Sequence, residues 1–159
     1  MSLLDKEPVK RAEKSLKDFD QSLKVIVLDK SARTAQDAAT ALGCNVGAIV
    51  KSLLFKTNDS FLLCLVAGDK RASLNKIKKT INKKDVSMAN PEDVKSQTGY
   101  TIGGVSPIGH LKQIEIIIDN SLERFNELFA AAGHPNCVFK INFKNIQKIT
   151  NGKVENITE

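Results

Sequence analysis

The sequence predicts an α+β fold with a mixed sheet, and three observations carry that prediction. Short apolar runs with strand character, such as Val50–Lys56 and Phe61–Ala67, sit beside stretches whose apolar residues recur at helical spacing. The two kinds of segment mix without the strict alternation of a parallel α/β protein. With 159 residues and 42% hydrophobic side chains, the chain is the size of one domain with one sizeable core.

Each element has a local reason. Pro8 suits an early helical position, and Val9, Ala12, Leu16 and Phe19 then fall on one face, so an N-terminal helix is expected at about 7–20. Val25 to Leu28 is a short strand candidate that opens the main body of the domain, about 24–158. Thr34-Ala35-Gln36-Asp37 reads as a capping box, with Asp37 reaching back, and Gly43 suits the left-handed turn that ends this helix. A turn around Asn45 to Ala48 leads into Val50–Lys56, and Thr57-Asn58-Asp59-Ser60 joins that strand to Phe61–Ala67 as a hairpin. Ser73 caps a helix expected to turn Leu74, Ile77 and Ile81 inward, with Lys76, Lys78, Lys79, Lys83 and Lys84 on its outer side and exit. Asn90-Pro91-Glu92-Asp93 starts the next helix with a cap, a proline and acids at the positive dipole end, and Gly99 stops it. Ile114–Ile118 and Val138–Ile141 are strands, Asn142 to Thr150 a helix, and Val154 to Ile157 a final edge strand. Leu122, Phe125 and Phe129 have helical spacing, yet Glu127–Ala132 also fits a strand.

Composition narrows the function classes. The formal charge is +6, which favours a polyanionic partner through counterion release, with a lysine-rich surface as the plainer alternative. No apolar run approaches the roughly 20 residues of a membrane span, and the first residues lack a signal peptide's apolar core. Cys44, Cys64 and Cys137 are odd in number and scattered, so a reducing, cytoplasmic setting is expected rather than a disulfide framework. Two histidines, His110 and His134, without metal-ligand spacing argue against a zinc or iron site, and no cofactor is expected. Serine-hydrolase elbows, P-loops and dinucleotide fingerprints are missing.

Two features stand out. Lys51, in Ile49-Val50-Lys51-Ser52-Leu53-Leu54-Phe55, shares a face with Leu53 and Phe55 if the strand has begun. An ammonium on an apolar face is costly unless it is paired or opens onto a pocket that receives an anion. On pattern alone the plainer reading is a lysine at a fraying strand end that snorkels to water. The second feature is Gly99-Tyr100-Thr101-Ile102-Gly103-Gly104-Val105-Ser106-Pro107-Ile108-Gly109. Such a backbone can approach a ligand closely and aim amides at a developing oxyanion, or it can simply be a tight connector.

Taken in order, these segments resemble the YbaK/EbsC family, the prolyl-tRNA synthetase-associated domains. The resemblance rests on Thr34-Ala35-Gln36-Asp37-Ala38-Ala39, Leu42-Gly43, Ile49-Val50-Lys51-Ser52-Leu53, Ala67-Gly68-Asp69-Lys70-Arg71, Thr98-Gly99-Tyr100, Gly103-Gly104-Val105-Ser106-Pro107 and Ala132-Gly133-His134-Pro135. It implies a mixed β-barrel-like sheet surrounded by helices and favours the strand reading near Glu127–Ala132. It also implies hydrolysis of mischarged tRNA carrying a small wrong residue (alanine, cysteine, serine or threonine), on tRNA(Pro) or a related tRNA. The 3′ acceptor end of aminoacyl-tRNA is then the partner, with a prolyl-tRNA synthetase complex as a further one, and neither membrane nor metal is expected. By the same resemblance Lys51 and the loop residues Gly103, Gly104, Val105 and Ser106 are the catalytic candidates. Tyr100, Pro107, Asp69 and His134 are the substrate-binding candidates. A non-catalytic tRNA- or synthetase-binding module of the same fold is the alternative, and an esterase for small activated acyl compounds is a third class.

Overall fold

A computed structural model describes residues 2–29 and 32–159; Met1, Lys30 and Ser31 lie outside the described residues. The chain runs α1 (Glu7–Phe19), β1 (Ile26–Val27), α2 (Ala35–Leu42), β2 (Ile49–Lys56), β3 (Phe61–Ala67) and α3 (Leu74–Ile81). It continues through β4 (Ser87–Met88), α4 (Pro91–Thr98), β5 (Glu115–Asp119), β6 (Leu128–His134), β7 (Cys137–Ile141), α5 (Phe143–Thr150) and β8 (Lys153–Glu155). One mixed sheet takes the order β1-β7-β6-β2-β3-β5-β8, with β4 added beside β2. The hairpins β2–β3 and β6–β7 are antiparallel, whereas β2–β6, β3–β5 and β5–β8 are parallel.

The helix starts follow from short polar side chains that accept otherwise orphaned amides. Thr34 accepts from Asp37 N–H, Ser73 from Lys76, Asn90 from Asp93 and Asn142 from Asn145. Strand alternation divides β2 between two cores. Val50 and Leu54 join the larger one, with Leu16, Leu63, Leu65, Leu128 and Phe139, while Phe55 packs with Leu62, Val66 and Ile77 on the other side. Fully buried Asp119 ties down the C-terminal end, accepting from Ile157 N–H at 2.8 Å and from the Thr158 hydroxyl at 3.1 Å.

Some expectations need correcting. The spacing puts Phe19 on the face of Val9, Ala12 and Leu16 and turns Leu74 inward, yet the two are 39% and 40% exposed. Each stands at a helix end, Phe19 as the last residue of α1 and Leu74 as the first of α3. The ambiguous stretch resolves into a 3-10 turn over Asn120–Arg124 followed by the strand β6. The final strand spans Lys153–Glu155, and Ile157 is buried beyond it.

Candidate active site

The site grows out of a mismatch in strand pairing. β6 pairs with β2 only at Ile49↔Phe129 and Val50↔Ala130, and β4 pairs with it only at Phe55↔Met88 and Lys56↔Ser87. Between those contacts the edge of β2 from Lys51 to Leu54 borders a cavity of about 360 Å³. Its walls are mostly apolar, with Leu54, Ala89, Val94, Val105 and Ala130 among them. Ile102 and Met88, 62% and 57% exposed, stand at its mouth.

Lys51 lines this cavity and is half-buried. Its Nζ donates to Lys70 O at 2.7 Å. An ammonium has three protons to donate, so this bond leaves two for a ligand. Burial pushes its pKa below the ordinary lysine value, the Asp69 carboxylate pulls it back up, and Arg71 lowers it again. The Lys70 carbonyl is held in place by a tight turn at the end of β3. Gly68 N–H donates to Ile49 O at 2.8 Å and Lys70 N–H to Ala67 O at 3.0 Å. A Cβ on Gly68 would lie 2.3 Å from Val46 O, so only glycine fits there.

The glycine-rich segment reaches the same cavity through Ile102, Gly103 and Val105. Gly103 has φ +92°, a left-handed conformation that favours glycine. Gly104 packs flat on β6, where an added Cβ would meet His134 Cα and N at 3.0 Å. β6 itself is irregular between Ala131 and His134, and Gly133 there has φ +91°. The Gly133 N–H donates to Gly104 O at 3.1 Å, so a strand irregularity becomes the seat of the loop.

The remaining candidates stand elsewhere. Tyr100 is fully buried beneath the loop and donates to Ile108 O at 2.8 Å; burial pushes its phenol up to about 12. Ser106 and Pro107 are buried in the loop's descending arm, and Ser106 Oγ accepts from Ile108 N–H at 3.4 Å. Asp69 is gripped by Arg124 through two bonds of 3.0 and 2.8 Å and acts on Lys51 through its charge. His134 Nδ1 accepts from Asn136 N–H at 3.0 Å, a turn contact, while its neighbour Pro135 lines the cavity. Of the lysine run on α3 and its exit, Lys76 donates to Thr158 O at 2.6 Å and Lys83 pairs with Asp59 at 3.1 Å.

Two cavity residues went unnoticed in the sequence, Ser52 and Arg33. Ser52 Oγ is buried, with no hydrogen-bond partner among the described residues. Its only sequence signal is a hydroxyl inside an apolar strand, alternating with Val50 and Leu54. Cys64 offers no nucleophile, because burial pushes its thiol up to about 12.

His110 gives the site an acid sensitivity. Its Nε2 lies 2.7 Å from Ser106 O, and burial lowers its pKa from the ordinary 6.5, with Arg11 adding to the effect and the Ser106 bond opposing it. A base with a depressed folded pKa leaves the unfolded chain holding more protons below 6.5, so stability falls as pH drops through and below that value. Thermal melts at pH 7.5 and 5.5 are expected to show a larger acid-induced loss in the wild type than in His110→Gln. Equal losses would remove His110 from this role.

This fold and this cavity define an editing-type domain, and the comparisons with known proteins agree. The family model described as "Aminoacyl-tRNA editing domain" matches residues 29–149, and the chain belongs to that family. It is 34% identical over 131 residues to the "Uncharacterized protein YwhH" of Bacillus subtilis, covering 82% of this chain and 83% of that one. It is 29% identical over 126 residues to the "Putative Cys-tRNA(Pro)/Cys-tRNA(Cys) deacylase EbsC" of Enterococcus faecalis, covering 79% and 77%. A match to the "Proline--tRNA ligase" of Thermosipho melanesiensis, 30% identical, covers 67% of this chain and 19% of that enzyme. Among solved structures, the "Crystal structure of a putative trans-editing enzyme for prolyl tRNA synthetase" superposes with a TM-score of 0.92 at 35% identity, covering 97% and 98%.

Proposed function

We propose that the protein is a trans-acting deacylase that hydrolyses the ester between tRNA and a small wrongly attached amino acid. The observation that carries this reading is the convergence of Lys51 and the Gly103–Val105 backbone on one apolar cavity. Water adds to the ester carbonyl, the tetrahedral oxyanion collapses, and the bond to the ribose oxygen breaks. The ribose oxygen takes up a proton, leaving free amino acid and tRNA with an unmodified 3′ end. Gly104 N–H is already committed to Thr101 O at 2.9 Å, which favours the neighbouring Gly103 and Val105 amides as the oxyanion donors. Lys51 supplies the positive charge for the terminal nucleotide or the developing anion. An aminoacyl ester is an activated acyl group, so no strong general base is needed.

The cavity selects by excluding bulk. A missing methylene is worth only about 1–3 kcal/mol, so alanine, serine, cysteine and threonine are expected to overlap as substrates. The test is a panel of tRNAs, including tRNA(Pro), each charged with one of these residues or with proline. Rapid loss of the small noncognate esters with prolyl-tRNA spared is expected. Protection of every ester would instead identify a tRNA-binding module.

Ser52 supports a second, finer expectation. A buried hydroxyl without a partner among the described residues costs stability, and Ser52 is one of the residues lining the cavity. Ser52→Ala is expected to melt at the same or a higher temperature while kcat/KM falls about tenfold, the loss of one hydrogen bond. A lower melting temperature with unchanged kcat/KM would show that the hydroxyl serves the fold.

A further inference from the structure

We infer that Arg11, on the N-terminal helix, is a positioning residue for the catalytic loop: one guanidinium holds both stems of the glycine-rich segment. This rests on the reading of that segment as the oxyanion-binding element. Arg11 Nε donates to Gly109 O at 2.7 Å, and its Nη2 donates to Thr98 O at 3.3 Å. Those two carbonyls flank the loop, one at the end of α4 and the other eleven residues on. The guanidinium carbon also lies 4.6 Å from the centre of the Tyr100 ring, and the Tyr100 hydroxyl bonds Ile108 O at 2.8 Å and Gly109 O at 3.2 Å. Glu7, one turn earlier on α1, pairs with the same guanidinium and orients it.

The glycines at the stems make this clamp possible. A Cβ on Gly99 would stand 2.4 Å from Arg11 Nη2, and one on Gly109 would stand 2.6 Å from the Tyr100 hydroxyl. Both glycines also have positive φ, +80° and +73°. Their lack of side chains therefore serves the clamp at the loop's base, whereas Gly103 and Gly104 serve its tip. α1 is fixed in turn by Val9, Ala12 and Leu16, all fully buried, and by Pro8 packed against Gly133. Gly133 carries the amide that seats Gly104, so the helix meets the loop at its base and, through β6, at its tip. The helix lies outside the residues 29–149 that the family model matches, so nothing in that match assigns it a role.

A planar fork reaching two carbonyls has no equivalent in lysine, which is a single point charge. Arg11→Met and Arg11→Lys are therefore compared with Leu16→Ala, which weakens the packing of α1 without removing the guanidinium. For the two Arg11 variants we expect kcat on the mischarged tRNA cleaved fastest by the wild type to fall at least tenfold with KM within about twofold, as for a misplaced reacting group. Leu16→Ala should lower the melting temperature at least as far and keep kcat near normal. Amide hydrogen exchange of residues 101–106 reads the clamp independently of chemistry, and it should speed up in both Arg11 variants but not in Leu16→Ala. Unchanged loop exchange and unchanged kcat in Arg11→Met would overturn the inference. So would an equal loss of kcat in Leu16→Ala, because the effect would then be one of stability. A wild-type protein that cleaves no ester would sink the deacylase reading, leaving the exchange comparison to decide the clamp.

Discussion

Replacing Lys51 with methionine should abolish deacylation while leaving the fold in place. The side chain keeps its length and its contact with the cavity wall but loses its charge. What it gives up structurally is small: the bond from Nζ to Lys70 O, whose carbonyl belongs to a turn already held by Gly68 and Ala67. Burial already disfavours the ammonium, so its removal relieves a desolvation cost. Melting temperature should stay within a few degrees of wild type. The rate should drop by the factor typical of one lost electrostatic contact to an oxyanion, about 100- to 1000-fold or more. Release of labelled amino acid from mischarged tRNA measures it, and near-normal turnover would take the lysine out of the mechanism.

The second large effect is expected at Gly104. A single methyl there meets the His134 main chain at 3.0 Å, and backbone atoms on both sides must give way. Gly104→Ala should tilt the loop off β6, break the bond from Gly133 N–H, and carry the Gly103 and Val105 amides away from the ester. The methyl forces a shift of a few tenths of an ångström, so a loss on the order of 10-fold is expected, below the roughly 100-fold that a displacement of about 1 Å costs. The signature is a fall in kcat with Lys51-dependent binding preserved. Equal loss of affinity and turnover would mean that the loop holds substrate without acting on the transition state.

The parts of this architecture legible in the sequence are those written in neighbouring residues. The caps at Thr34, Ser73 and Asn90 lie within a few positions of the amides they serve, so α2, α3 and α4 are legible locally, whereas Asn142 reads as part of α5 and turns out to cap it. The β2–β3 hairpin was equally plain from two apolar runs and a polar turn. Helix ends were less so, because periodicity cannot say where a neighbouring sheet stops, and Phe19 and Leu74 came out exposed. Long-range geometry left no trace. The gap between β4 and β6 that opens the cavity depends on strand order, and the Arg11 clamp joins residues 98 positions apart. Lys51 and the Gly103–Pro107 loop stand out by local chemistry, and only the family resemblance gives them roles. Gly104 and Pro107 do not line the cavity, and the other candidates outside it, Tyr100, Asp69, Ser106 and His134, all have side chains with partners inside the protein.

The most direct measurement is multiple-turnover cleavage: trace protein incubated with a large excess of alanyl-tRNA(Pro) or cysteinyl-tRNA(Pro), with released amino acid counted per protein molecule. An editing deacylase releases many equivalents, at a rate that falls steeply as salt weakens contacts to the phosphates. An ester that outlives the protein-free control, at any protein concentration, would contradict the account.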